Sequence, residues 1–278
     1  MRRLALFAHF DAQAEVKRYI VHYLAALRTV CDDIVFVSTS PLPPAEVAKV
    51  APFAGTVHLK DNVGLDFGMW RHALERVELG AWDELVLANS SVFGPLAPLA
   101  DVFSRMAAKP CDFWGMTNSH EIAAHVQSYF LVFRRAALDS DAFRRFWESV
   151  LPYRNKQQII RTYEVGLSTF LVENGLRPAL VAPLDDLPLP IWRRRKRWLT
   201  ENATLGVPHL VLEAGVPFVK VELLRDNPRG VPLGPVYRSM RERGYDLGMV
   251  EFDRPFQRSF SARRLLHDPE WSYRRELR

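Results

Sequence analysis

Small polar side chains stand in two loops on either side of one predicted helix and strand. Asn62, Gly64 and Asp66 belong to the first loop and to the helix start behind it, and the triplet Asn-Ser-Ser at 89–91 follows the apolar run 85–88. Glycine lets backbone N–H groups approach a ligand closely at a helix N-terminus. The pattern predicts a ligand pocket that includes Asn62, Gly64, Asp66, Asn89 and Ser91, although any one of them alone is better explained as a turn residue.

A third polar segment, residues 117–128, leads directly into the strongly apolar run 129–133. It contains Glu121, His125 and Gln127, whose carboxylate, imidazole and amide groups could form the rim of a substrate site. A polar surface loop with a capping serine explains the same residues without a function. Both interpretations stay open on the residues alone.

A further carboxylate, Glu164, stands at the start of the predicted helix 163–171. The partial positive charge of a helix N-terminus stabilises an acidic side chain in the first turn. On residue type alone, this structural role is the preferred interpretation of Glu164.

The elements that position these residues alternate between strand and helix. Short apolar runs predict strands at 4–8, 34–37, 56–59, 85–88, 112–116, 129–133 and 180–183. Apolar residues at steps of three and four predict helices, of which the main ones are 16–27, 67–77, 98–106 and 163–171. Alternation of strand and helix through residue 88 is typical of a Rossmann-like α/β fold, in which helices flank a mostly parallel sheet.

The carboxyl ends of parallel strands meet at one edge, where ligands of open α/β sheets bind. His9 follows the first predicted strand and Ser38 the second. We therefore include His9 and Ser38 among the substrate-binding candidates, together with Arg71 on the outward face of helix 67–77.

The composition is that of a globular protein. The chain has 278 residues, a mass of 31.9 kDa and 48% hydrophobic residues, enough for one large α/β domain. No apolar run approaches the roughly 18 residues of a spanning helix, and residues 1–10 do not resemble a secretory signal. We expect a cytoplasmic protein whose cysteines, Cys31 and Cys111, are free thiols.

Positive charge is concentrated in two places, although the net charge is only +5. Residues 254–278 hold seven arginines, and five consecutive cations stand between two tryptophans: Arg193, Arg194, Arg195, Lys196 and Arg197. A solvated loop is the default interpretation, and an anionic membrane surface is the alternative because tryptophan favours the bilayer interface. No nucleic-acid-binding motif is present.

We divide the chain into a domain at 1–232 and a basic C-terminal extension at 233–278.

Several segments, taken together and in order, resemble the rhamnan synthesis protein F family, which is associated with rhamnose-containing cell-surface polysaccharides of bacteria. The matching segments are 7–11, 36–40, 62–68, 89–95, 112–115, 127–130, 163–167, 215–220 and 226–228. The layout is also similar to glycosyltransferases with the GT-A fold. That resemblance implies that Asn62, Gly64 and Asp66 match a donor-binding loop, residues 89–91 a metal-binding strand end, and Glu164 a general base.

One position departs from the family pattern. The resemblance leads us to expect an aspartate in the middle of the triplet 89–91, where this chain has Ser90. Divalent cations such as Mg²⁺ and Mn²⁺ prefer carboxylate oxygens. We therefore assign no metal ligand, and Ser90 argues against Mg²⁺ or Mn²⁺ as the cofactor that the resemblance implies.

The function that the resemblance implies is transfer of a sugar, plausibly rhamnose, from a nucleotide diphosphate donor to a lipid-linked glycan. The enzyme would work in the cytoplasm or at the inner face of the membrane. A base, Glu164 with Glu121 or His125 as alternatives, would remove the acceptor hydroxyl proton, and direct attack would invert the anomeric carbon. Side chains at 89–91, amides near Gly64 and an arginine would offset charge on the leaving diphosphate.

Two other classes of function are compatible with the sequence. A non-catalytic subunit that binds a nucleotide sugar or a glycan is favoured by Ser90. A basic scaffold at the membrane would need only the arginine clusters and would leave the predicted polar pocket unexplained.

Overall fold

A computed structural model describes residues 1–189 and 202–252 of the chain. In this part the main feature is an eight-stranded sheet in the order β3-β2-β1-β4-β8-β6-β7, with β9 also paired to β6. Its strands are β1 Arg3–His9, β2 Asp33–Ser38, β3 Thr56–Leu59, β4 Glu84–Asn89, β6 Phe113–Ser119, β7 His125–Val126, β8 Phe130–Arg134 and β9 Pro178–Ala182. β5 (Val92–Phe93) and β10 (Val219–Lys220) form a separate antiparallel pair.

Six of the eight strands point in the same direction. β1 is parallel to β2 and β4, and β2 is parallel to β3. β8 is antiparallel to both of its neighbours, β4 and β6, so β6 and its parallel partner β9 run with β4. The short β7 is antiparallel to β6. The prediction of a mostly parallel α/β sheet flanked by helices is confirmed.

Helices connect the strands and cover both faces of the sheet. They are α1 Arg18–Arg28, α2 Pro44–Val50, α3 Leu65–Leu74, α4 Leu99–Ala107, α5 Arg135–Leu138, α6 Asp141–Ser149, α7 Lys156–Ile159, α8 Val165–Glu173, α9 Ala203–Gly206, α10 Pro208–Glu213, α11 Val221–Arg225 and α12 Gly234–Glu242. None of these helices is both long and apolar enough to cross a bilayer.

Two apolar clusters, one on each face, hold the sheet between helices. The cluster under α1 and α4 contains Ile20 and Val102, and the cluster under α3, α6 and α8 contains Trp70, Trp147 and Leu167. The indole N–H of Trp70 donates to the carbonyl oxygen of Ala88 on β4 at 3.3 Å. This bond fixes α3 against the strand that carries the triplet 89–91.

The helix predicted at 163–171 begins earlier than the sequence indicated. α7, a π-helical turn at Ile160–Glu164 and α8 follow one another directly. Glu164 therefore lies inside a helical segment and not in its first turn, and no acidic residue occupies the first turn of α8. The helix-terminus interpretation of Glu164 was wrong, because the stabilising partial charge is confined to the helix end.

Residues 233–252 pack against the described part of residues 1–232. Val236 and Met240 of α12 are fully buried in the cluster under α1. The rings of Phe252 and Phe93 have centroids 6.0 Å apart, and Arg18 forms an ion pair with Asp246 at 2.7 Å. The boundary predicted at residue 232 is therefore not a break in the packing. Residues 253–278 and the cluster Arg193–Arg197 lie outside the described residues.

Candidate functional site at the carboxyl edge of the sheet

A hydrogen-bonded group at the end of β4 joins the two polar loops. The side-chain amide of Asn89 donates to Asp66 Oδ2 at 2.8 Å. The Asn89 Oδ1 atom accepts from the Ser91 backbone N–H at 3.1 Å and from the Ser91 hydroxyl at 2.6 Å. Asn89 is almost fully buried, whereas Asp66 and Ser91 are half-buried. The structure thus brings Asp66, Asn89 and Ser91 together at the edge where a ligand was predicted.

The two glycines of the first loop are required by packing within the protein. Gly64 has a left-handed φ of +83° at the N-cap of α3, and a side chain there would meet the Gly68 Cα at 2.8 Å. The Gly64 N–H donates to Tyr153 O at 2.9 Å, and the Gly68 N–H donates to Gly64 O at 2.9 Å. Both amides are therefore engaged, and Gly64 acts by shaping the loop that presents Asp66.

His9 and Ser38 form the support beneath this edge. Their side chains are within hydrogen-bond distance, 2.9 Å from Nδ1 to Oγ, and both residues are fully buried. Burial lowers the pKa of His9 to about 4, so its imidazole is neutral at physiological pH. Ser38 Oγ also accepts from the Ser40 N–H at 3.1 Å. Through these hydrogen bonds the two buried residues hold the loops that follow β1 and β2 in place.

A cavity of about 560 Å³, here the β2/β3 cavity, opens between the carboxyl ends of these two strands. Its lining residues are Thr39, Ser40, Pro41, Leu42, Leu59, Lys60, Asp61 and Asn62. Thr39 is buried, and its hydroxyl has no hydrogen-bond partner in the described part of the chain. Asn62 lines this cavity, and the structure does not bring it into the hydrogen-bonded group around Asn89. Because β2 and β1 lie between β3 and β4 in the sheet, the ends of β3 and β4 are about 14 Å apart.

Glu164 approaches the same edge from the α3 side of the sheet. Its Oε1 accepts from the Ser128 hydroxyl at 3.0 Å and from the Ser128 N–H at 3.3 Å. Ser128 stands two residues before Phe130, which pairs with Ala88 one residue before Asn89. Adjacent strands lie about 4.7–4.9 Å apart, so Ser128 lies beside the triplet 89–91.

A ring contact brings the helical neighbours of Asp66 and Glu164 together. The rings of Phe67 and Tyr163 have centroids 5.7 Å apart, and both residues are buried. The start of α3 and the π-helical turn are therefore in contact, each with a carboxylate next to its buried ring. π-helical turns of this kind frequently accompany functional sites.

The other predicted rim residues are engaged with groups of the protein itself. Glu121 forms an ion pair with Arg229, and its second oxygen accepts from the Asn202 amide at 3.0 Å. Gln127 is buried and accepts from the Thr117 hydroxyl at 2.7 Å. His125 is buried as well, and its Nδ1 donates to the Ala123 carbonyl at 2.8 Å.

Arg71 lies apart from the group around Asn89. It follows Asp66 by five residues, which places it about 140° further around α3. Its guanidinium bonds to the Val150 carbonyl oxygen and to Glu75 Oε1, the latter at 2.8 Å. There it lines a second cavity of about 340 Å³ on the outward side of α3, here the α3 cavity.

The atoms at the end of β4 that could act as metal ligands do not suit a hard divalent cation. Asp66 supplies the one carboxylate of the hydrogen-bonded group, and the remaining ligand atoms are the Asn89 amide oxygen and the Ser91 hydroxyl, which are already hydrogen-bonded to each other. Mg²⁺ and Mn²⁺ are normally held by carboxylate oxygens. Among residues 1–189 and 202–252, no three His, Cys, Asp or Glu side chains are grouped so that they could hold a metal ion.

Three further residues at this edge were not singled out from the sequence. Ser128 holds Glu164, and Thr39, which lines the β2/β3 cavity, has a buried hydroxyl without a hydrogen-bond partner in the described part of the chain. Lys220 pairs with Val92 in the β5–β10 ladder, and its ammonium lies 4.3 Å from the ring centroid of Tyr129. Lys220 belongs to the segment 215–220, which resembles the family pattern, and this resemblance is the feature of the sequence that could have identified Lys220 as a site residue.

Comparison with known proteins identifies the family. The family described as rhamnan synthesis protein F matches residues 34–238, which is most of the chain. The chain belongs to this family, as the resemblance had predicted. Virulence protein VirA of Vibrio anguillarum is 25% identical over 225 residues, which cover 72% of this chain and 71% of VirA.

Solved structures with related folds are much more distant. A glycosyltransferase involved in the glycosylation of the major capsid of PBCV-1 has 12% identity and a TM-score of 0.40, with 79% of this chain and 94% of that chain covered. The inositol-1-phosphate CTP transferase of T. maritima has 12% identity and a TM-score of 0.42, with coverages of 65% and 84%. At these scores, neither resemblance bears on activity.

Proposed function

We propose that the protein is a glycosyltransferase that moves a sugar from a nucleotide diphosphate donor to a lipid-linked glycan of the cell surface. Membership of the rhamnan synthesis protein F family supports polysaccharide synthesis and makes rhamnose the first sugar to test. The observation that carries the proposal is the convergence of Asp66, Asn89 and the Ser128–Glu164 pair at the carboxyl edge of the sheet. Ligands of open α/β sheets bind at that edge.

The donor would lie across the ends of β1 to β4. The β2/β3 cavity offers hydroxyl, amide and carboxylate groups, and it suits the nucleoside. The diphosphate would then extend toward Ser90 and Ser91. Lys220 stands beside this strand end and would offset charge on the departing diphosphate.

Glu164 is the best-placed general base. Within the described part of the chain, the Glu164 carboxylate accepts two hydrogen bonds, both from Ser128 and both at Oε1. Its Oε2 can then take the proton of an acceptor hydroxyl as that oxygen attacks the anomeric carbon. Glu121 is less suited, because Arg229 and Asn202 engage both of its oxygens. A single displacement by the acceptor inverts the anomeric configuration.

A non-catalytic subunit that binds a nucleotide sugar is the second candidate. The specific observation that favours it is Ser90, which leaves the strand end with few carboxylates. This protein would bind the donor at the same edge and release no nucleotide.

One experiment separates the two candidates. Purified protein is incubated with a panel of nucleotide sugars that includes a nucleoside-diphosphate rhamnose, with and without Mg²⁺ or Mn²⁺ and with a lipid-linked acceptor. Binding and release of the nucleoside diphosphate are followed together. Acceptor-dependent release supports the transferase, and binding without release supports the non-catalytic subunit. Absence of binding to every nucleotide sugar would contradict both.

A further inference from the structure

The α3 cavity differs in chemistry from the edge where the donor is proposed to bind. It lies on the outward side of α3 and has a volume of about 340 Å³. Lys60, Arg71 and His72 form its polar wall together with Glu75, and its apolar lining comes mainly from Val63 and residues 150–152. The cavity therefore joins a cationic wall to an apolar floor.

Positive charge at this cavity exceeds the negative charge that faces it. Glu75 is shared between two guanidinium groups, those of Arg71 at 2.8 Å and Arg76 at 3.5 Å. Lys60 donates to the carbonyl oxygens of Asp61 at 2.9 Å and Val63 at 3.1 Å. The permanent positive charges of Lys60, Arg71 and Arg76 thus outnumber the negative charges of Glu75 and Asp61. This holds even when the nearby imidazoles are neutral.

Two histidines adjoin the cationic wall. The rings of His58 on β3 and His72 on α3 have centroids 5.1 Å apart. Burial and the charge of Arg76 lower the pKa of both imidazoles, and burial lowers the pKa of Lys60. Like charges that are collected in this way repel one another, and a bound anion would remove the repulsion and favour protonation of the histidines.

An exposed apolar side chain flanks the same cavity. Leu151 lines the cavity beside Val63 and Pro152 and is 50% exposed. It is one of the six large hydrophobic residues that are strongly exposed in the described part of the chain. A soluble anion would have no use for this apolar rim, whereas an anion carried on a hydrocarbon chain would contact both surfaces.

We propose that the α3 cavity binds the phosphate group of a lipid. Arg71, Lys60 and His72 would donate charge-assisted hydrogen bonds to the phosphate oxygens, and Leu151, with Val63 and Pro152, would contact the adjoining apolar part of the lipid. The site shares Lys60 with the β2/β3 cavity but includes neither Asp66 nor Asn89, and it does not require that the protein transfer a sugar.

The test uses the full chain and vesicles of defined composition. Sedimentation with phosphatidylcholine vesicles that contain phosphatidic acid is compared with sedimentation with pure phosphatidylcholine, for the wild type and for Arg71→Gln and His72→Gln. Arg144→Gln is the matched control, because Arg144 is an exposed, ion-paired arginine on α6. Melting temperatures establish that each variant is folded.

We expect binding to require phosphatidic acid and to weaken about tenfold, the equivalent of 1.4 kcal/mol, in each cavity variant and little in the control. Inorganic pyrophosphate should compete with the vesicles and shift the imidazole resonances of His72 and His58. The cluster Arg193–Arg197 is intact in all four proteins, so a loss confined to Arg71→Gln and His72→Gln identifies the cavity.

Two results would overturn the proposal. Equal vesicle binding by the control and both folded cavity variants would show that the phosphate binds elsewhere. Pyrophosphate binding at His72 without any dependence on phosphatidic acid would show that the cavity takes a soluble phosphate and not a lipid. Neither result depends on nucleotide-sugar turnover, so failure here and failure of the transferase proposal are distinguishable.

Discussion

Replacement of Glu164 by glutamine tests the proposed general base with little structural disturbance. The glutamine carbonyl can still accept the two Ser128 hydrogen bonds, now 3.0 and 3.3 Å long, so only their charge assistance is lost. This loss should cost about 1 kcal/mol of unfolding free energy or less. Removal of a general base slows the chemical step by about 10²- to 10⁴-fold, equivalent to about 2.7–5.4 kcal/mol of activation free energy.

The assay measures donor affinity, melting temperature and acceptor-dependent nucleotide release on the same Glu164→Gln sample. Donor affinity should be nearly unchanged, because the base acts on the acceptor hydroxyl. Glu173→Gln, an exposed glutamate at the end of α8, is the matched control and should behave like the wild type. Unchanged turnover with a lowered melting temperature would refute the role of Glu164, and Glu121 and His125 would become the candidates.

Three further predictions concern the support of the site. Asp66→Ala leaves the buried Asn89 amide unpaired, so it should cost about 1–3 kcal/mol in urea unfolding and weaken donor binding; undiminished donor affinity would argue against a donor site there. Gly68→Ala would force a methyl group against a backbone carbonyl and should cost about 1–3 kcal/mol, whereas Gly80→Ala, with open space around it, should change stability little; equal effects of the two would contradict the packing argument. The pKa of His9 is lowered to about 4, so the unfolded chain binds a proton that the folded chain does not. Stability should therefore fall between pH 6.5 and 4, and a pH series of melting curves should show a shallower fall for His9→Gln.

The order of strands and helices could be predicted because it depends on local patterns. The apolar run 85–88 lies within β4 as observed, and the stripe of 16–27 corresponds to α1. The antiparallel direction of β8 could not be predicted, because the apolar run 129–133 has the same pattern whichever way the strand runs. Its direction is set by tertiary pairing with β4 and β6.

The candidate site was predictable only where it depends on strand ends. Asp66 and Asn89 follow successive elements of one unit, and the structure joins them by a hydrogen bond. The partner of Glu121 was not predictable, since Arg229 lies 108 residues further along the chain. The π-helical turn that ends at Glu164 was not predictable either, because a single π-helical turn does not change the spacing of apolar residues visibly.

The position of β8 between β4 and β6 has a consequence for synthesis of the chain. β6 is made before β8 but lies beyond it in the sheet, so β4 has no partner on that side until residues 130–134 have been added. A nascent chain that ends before residue 130 therefore exposes one edge of an apolar strand, the kind of edge that pairs with other chains and aggregates. Glu164 comes after this point, so the Ser128–Glu164 pair can form only after β8 has become available to pair with β4.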